Sequence, residues 1–209
     1  MIQFKRGEIM EKVVNLQKLP NYNTYLLELM NAVVKQDQNT INQIFSKIDA
    51  DLKKTRKEKS VTFERSKNMW NDPEFHFKAV ELEEVADLKM EFDDNLGLFQ
   101  LASQVQYEPV MTIEFTKILK NLSDIRQRTN IRTARNEKMW NDSESHFRAV
   151  EQEKQEDLKN EITDLMSLYN IAQSANYTQG IELITNRLNK IAPNLIDSLI
   201  PKNSGTVRK

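Results

Sequence analysis

Only two imidazoles stand in the chain, His76 and His146, and each occupies the same setting, Glu-x-His-Phe. A histidine beside a carboxylate can hold a metal or pass a proton. Helical ligands that converge on one ion stand three or four residues apart, as in His-Glu-x-x-His. A Glu and a His two residues apart point to different faces. There is no Cys, which removes thiolate metal sites, disulfides and a cysteine nucleophile. There are four Gly and neither phosphate-loop fingerprint, G-x-x-x-x-G-K-[ST] or G-x-G-x-x-G, which leaves little room for a phosphate cradle. The expectation is a protein without catalytic residues, metal site or cofactor.

The remaining chemistry is charge. Thirty basic residues face 31 acidic ones, for a net charge of −1, which argues against a globally basic nucleic-acid binder, and no nucleic-acid partner is expected. Locally the charges are sorted. Lys53, Lys54, Arg56, Lys57 and Lys59 precede an acidic stretch that begins at Glu74. Arg126, Arg128, Arg132 and Arg135 precede another that begins at Glu144. Around an antiparallel turn the basic end of one helix lies beside the acidic start of the next. Two readings stay open. The charges pair between helices and set register, each exposed pair worth about 0–1 kcal/mol. Alternatively, the cations form an outward stripe for anionic phospholipid, each worth about 1 kcal/mol near such a surface.

These residues sit in an internal repeat. Residues 69–81 and 139–151 share ten of 13 positions at an offset of 70, including Met-Trp-Asn-Asp, Glu-x-His-Phe and Ala-Val-Glu. The offset continues upstream, where Phe45, Lys47, Ile48 and Leu52 match Phe115, Lys117, Ile118 and Leu122. A weaker third register aligns Leu26, Ala32 and Ile41 with Leu96, Ala102 and Met111, then with Met166, Ala172 and Ile181.

Each copy reads as helix. Val85, Leu88, Phe92, Leu96, Phe99 and Ala102 recur at spacings of three and four, as do Met111, Phe115, Ile118, Leu122 and Ile125. Low glycine fits an all-α chain. The strongest stops are the Trp-Asn-Asp motifs, where Trp70, Asn71 and Asp72, and again Trp140, Asn141 and Asp142, offer helix caps and staples. Inside each copy the apolar phase slips by two residues, near Pro109 and near Gly180. If the slips are turns, the chain is a bundle of helices about 30 residues long. If they are kinks, it is three long antiparallel helices over roughly 23–70, 73–140 and 143–199, the middle one on the order of 100 Å long. The second form is preferred, because the slips carry one Pro or Gly each rather than a cluster. Residues 1–22 then form a short N-terminal segment, 23–199 a single helical domain, and 200–209 a loose tail. No apolar run approaches a membrane span, so an intracellular, cytoplasmic protein is expected, with peripheral membrane contact open.

In this form the chain resembles a BAR (Bin/amphiphysin/Rvs) domain over roughly 23–199. The local part of the resemblance is Phe115-x-x-Ile118-Leu119-x-x-Leu122-x-x-Ile125 running into Arg126, Arg128, Arg132 and Arg135, with Glu161-Ile162-x-x-Leu165-Met166 in the third helix. The resemblance implies an antiparallel homodimer of kinked coiled-coil helices that binds curved anionic membranes in vesicle trafficking. The distal cations of helices one and two would be its membrane-facing residues. The alternative is a non-enzymatic structural or adaptor bundle, spectrin-like or coiled-coil, that holds protein partners.

Overall fold

A computed structural model of the chain describes residues 16–59, 73–129 and 143–193. Every element among them is a helix: α1 (Tyr22–Val34), α2 (Gln38–Glu58), α3 (Pro73–Gln104), α4 (Glu108–Thr129), α5 (Ser143–Ser174) and α6 (Thr178–Ile191). Residues 2–130 form one compact unit and residues 131–209 another. In the first, α1 packs on α2, α2 on α3 and α3 on α4; in the second, α5 packs on α6.

The all-α expectation holds. The three uninterrupted helices do not, because tight turns at 35–37, 105–107 and 175–177 cut each of them. Each repeat copy is an αα-hairpin. The turns are one motif written three times at the 70-residue offset. Gln36, Gln106 and Asn176 sit in the left-handed region with φ of 55°, 53° and 51°. The amide that follows each of them donates back to an alanine carbonyl: Asp37 to Ala32 at 3.0 Å, Tyr107 to Ala102 at 2.9 Å and Tyr177 to Ala172 at 2.9 Å. The left-handed residue itself donates to Val33, Ser103 or Gln173, at 3.0, 3.1 and 3.0 Å. This is the paired hydrogen bonding of a Schellman ending, which satisfies carbonyls that a helix end leaves orphaned. The three alanines are buried, so each turn closes over a methyl group.

The residue that ends one helix also starts the next. The carbonyls of Asp37, Tyr107 and Tyr177 accept the first bonds of α2, α4 and α6, from Ile41, Met111 and Ile181. Pro109 is therefore no kink. It is the second residue of α4, where a missing N–H removes a donor that would have no helical partner. Gly180 lies in the first turn of α6 in the same way.

The core of the first unit centres on α3. Between Phe92 and Ala102 it is buried on most sides, with Leu96, Leu98, Phe99 and Leu101 all inside. Phe99 meets Phe115 of α4 with ring centroids 5.4 Å apart. Tyr107 ties the two hairpins of this unit together: its ring stacks on Phe45 at 6.3 Å, and its hydroxyl donates to Asn42 Oδ1 at 3.0 Å. Gly97 gives the chain before α1 room to approach. A Cβ there would lie 3.1 Å from Leu16 Cγ. The sequence reading sets residues 1–22 apart, yet Leu16, Leu19 and Tyr22 are buried. Pro20 breaks the helical run, and this leaves α1 at 13 residues where its counterparts α3 and α5 have 32.

Candidate functional surface

The distal cations were the residues with functional promise, and they divide into three groups. Arg132 and Arg135 lie outside the described residues, as do Trp70, Asn71, Asp72, Trp140, Asn141 and Asp142. Lys53, Arg56 and Arg128 are engaged with carboxylates. Arg56 Nη1 donates to Asp94 Oδ2 across the α2–α3 contact at 2.5 Å, with both side chains mostly buried. Lys53 Nζ donates to Asp49 Oδ2 one turn back at 2.7 Å. Arg128 of α4 pairs with Glu84 of α3. Lys54, Lys57 and Lys59 are exposed on the last turns of α2, and Arg126 is half-buried.

Around these pairs lie two clefts. One of about 450 Å³ is lined by Lys53, Arg56, Lys57, Arg128, Glu84, Asp87, Leu88 and Glu91. Four cations there face three carboxylates, so the charge is close to balanced. The other, of about 230 Å³, runs between Lys18, Leu19, Leu52, Lys59, Met90 and Asp94, with Arg56 shared between the two. Burial pushes the Asp94 carboxyl up to about 6, while the Arg56 guanidinium beside it pulls down. At neutral pH Asp94 is therefore mostly ionised and the bridge is charged. What this surface does chemically is fix the register of α2 on α3.

Of the two histidines, the side chain of His76 lies outside the described residues. His146 is half-buried on α5, and its neighbour Glu144 pairs with Arg148 on the next turn. Among the described residues no cluster of three or more His, Asp or Glu side chains could hold a metal. No described helix is long and apolar enough to cross a membrane.

The sequence reading missed the polar rungs inside the hairpins. Tyr25 donates to Asp51 Oδ2 at 2.8 Å, joining α1 to α2. Seventy residues on, Asn95 Nδ2 donates to the buried Asn121 Oδ1 at 2.7 Å, joining α3 to α4. The third copy has Leu165 and Ile191 at these positions. It also missed Glu114, which is 4% exposed and occupies the register held by Ile44 and Ile184 in the other copies. Its Oε1 accepts from Lys117 Nζ at 2.7 Å, and its Oε2 is buried without a hydrogen-bond partner. Burial raises this carboxyl above its ordinary value. Comparison with known proteins adds nothing to these assignments: no family model, no curated protein and no solved structure matches the chain.

Proposed function

We propose that the chain is a non-enzymatic scaffold of repeated αα-hairpins that holds protein partners on the outer faces of its second helices. The observation that carries this reading is Ile113 on α4 and Leu183 on α6. They stand at the same repeat register, about half exposed, on faces that the hairpin cores do not use. Large apolar side chains kept at one outward position in two copies suit a partner segment docked on each hairpin by itself. Arg56 and Arg128 support it from the other side, since each is engaged with a carboxylate that offsets its charge. A photo-crosslinker placed at 113 or 183 of the full chain tests the reading in cell extract. Discrete protein adducts at both positions are expected, and neither should form with the crosslinker at the polar position 43. No protein adduct at either position refutes it.

A second reading is peripheral attachment to anionic membranes in trafficking. It is favoured by Lys54, Lys57 and Lys59, exposed together at the end of α2. Three such cations would contribute about 3 kcal/mol near an anionic surface. Co-sedimentation with vesicles, with and without anionic phospholipid at low salt, separates the two. The scaffold reading expects no lipid dependence. Lipid-dependent pelleting that is lost on reversing all three lysines would favour the membrane.

A further inference from the structure

The outward faces of α4 and α6 carry more than an apolar residue. On α4 the stripe that starts at Ile113 continues through Thr116, Lys117 and Lys120, at offsets of three, four and seven. On α6 the same register reads Leu183, Asn186, Arg187 and Lys190. These offsets share one side of a helix. The cation at offset four is engaged within its own hairpin: Lys117 Nζ donates to Glu114 at 2.7 Å, and Arg187 Nε donates to Glu161 at 2.8 Å. Lys120 and Lys190 are exposed and make no ion pair among the described residues. The next acid along that side of α4, Asp124, is half-buried. The first hairpin supplies the comparison. On α2 the register reads Gln43, Ser46, Lys47 and Ala50, all exposed. The cation at offset four is thus common to the three copies. The apolar residue and the cation at offset seven come as a pair: both stand on α4 and α6, and both are missing from α2. The helix does not require either, since α2 forms without them. Two exposed residues about 10 Å apart that come and go together suit one ligand that touches both.

We propose that each of these two faces docks an acidic amphipathic helix, whose apolar side chain covers Ile113 or Leu183 and whose carboxylate, two turns away, meets Lys120 or Lys190. The inference rests on the scaffold reading and names the chemistry of its partner. One uncompensated lysine per face selects an acidic group and repels a basic one. An anchor and a charge two turns apart match the side-chain spacing of a second helix laid along the first. A lipid surface has no such spacing to match, and one free lysine contributes only about 1 kcal/mol to binding it.

Fluorescence anisotropy on the full chain tests this with two labelled helical peptides that differ at one residue. Both carry a leucine; seven residues on, one has glutamate and the other lysine. At low salt the glutamate peptide should bind roughly tenfold more tightly. Lys120→Glu with Lys190→Glu should reverse that order. Ile113→Gln with Leu183→Gln should weaken both peptides. All four positions are exposed, so both variants should keep their helical circular dichroism. Equal binding of the two peptides, binding of neither, or an order that survives the charge reversal overturns the proposal. So does pelleting with anionic vesicles that the same reversal abolishes, which would assign the lysines to a membrane. Crosslinking at 113 and 183 separates the two failures. Adducts that persist through the charge reversal refute the acidic partner and keep the scaffold, whereas the absence of adducts refutes both.

Discussion

Glu114 should be a net cost to the fold, and replacing it with isoleucine should stabilise the protein. The repeat itself nominates the residue, since Ile44 and Ile184 fill the same register at 1% and 0% exposure. The carboxylate is 4% exposed and keeps one hydrogen-bonded oxygen, on Lys117, and one without a partner. Lys117 is over a third exposed along its side chain, so its ammonium returns to water when Glu114 is removed. The charged groups around the site are Lys117 on α4 and Asp49 and Lys53 on α2. Replacing a buried, incompletely satisfied charge with an aliphatic side chain of similar volume stabilises by ~1–3 kcal/mol. For a chain of this length that is roughly 2–4 °C in Tm per kcal/mol. Urea unfolding at pH 7 should show a higher midpoint with an unchanged m-value. The pH dependence supplies a second check. A carboxyl whose native pKa is raised holds its proton longer in the folded state than in the unfolded one. Its contribution is thus most favourable below the unfolded pKa and is lost as pH rises through the native one. The advantage of Glu114→Ile should be small near pH 4 and grow as pH rises. A loss of ~1 kcal/mol or more at pH 7 would refute the reasoning and make the Glu114–Lys117 bond a structural requirement.

The remaining expectations follow from the rungs, the turns and the bridge. Asn95→Leu alone leaves the Asn121 amide buried without its partner and should cost about 1–3 kcal/mol; Asn95→Leu with Asn121→Ile, copying Leu165 and Ile191, should recover most of it in a urea double-mutant cycle. Gln36→Gly and Gln106→Gly relieve a left-handed backbone that costs a non-glycine residue ~1–2 kcal/mol, so each should raise the unfolding free energy by up to ~1 kcal/mol, read as a higher urea midpoint. Asn176→Gly should gain less, because asparagine tolerates that region better than glutamine. Arg56→Ala strands the Asp94 carboxylate and should destabilise more at pH 7.5 than at pH 5. Asp94 already titrates near 6 in the presence of Arg56 and would rise further without it.

How legible was this in the sequence? Spacings of three and four fixed the helices and most of the core, because periodicity is written directly by burial. Phe92, Leu96, Phe99, Ile118 and Leu122 are all inside. The offset of 70 was equally plain, and it proved to be the spacing of the hairpin turns. The turns themselves were hidden by their chemistry. A reader of the sequence looks for glycine or a Pro/Gly cluster, and these turns put Gln, Gln and Asn at positive φ. The strain is offset by two backbone bonds and a buried alanine, neither of which is a composition signal. Pro109 pointed to the right place and was given the wrong role, since a helix start and a kink both admit proline. The charge sorting left pairing and display open. Arg56–Asp94 and Arg128–Glu84 favour pairing for those two cations, while Lys54, Lys57 and Lys59 stay outside.

The rungs explain how copies so alike can keep their partners straight. Each hairpin closes through the same turn, and its stripes are mostly apolar, so hydrophobic contact alone discriminates poorly between one second helix and another. The positions at 25 and 51, 95 and 121, and 165 and 191 differ in kind: Tyr with Asp, Asn with Asn, Leu with Ile. The Tyr25 hydroxyl needs an acceptor, and Asp51 supplies one. Asn95 needs an amide partner buried with it, and Asn121 is 4% exposed. Exchanging α6 with either of the other second helices would set a polar group against an aliphatic one, at a cost of ~1–3 kcal/mol for each group left unpaired. That penalty is comparable to what a well-formed rung contributes, so it acts twice: it favours the correct pair and disfavours the wrong one. The short turns reinforce this, because a link of two or three residues holds the correct second helix close before a distant one can compete. Divergence at the rungs, against a shared backbone geometry at the turns, thus sets the third hairpin's helix pair apart from the other two.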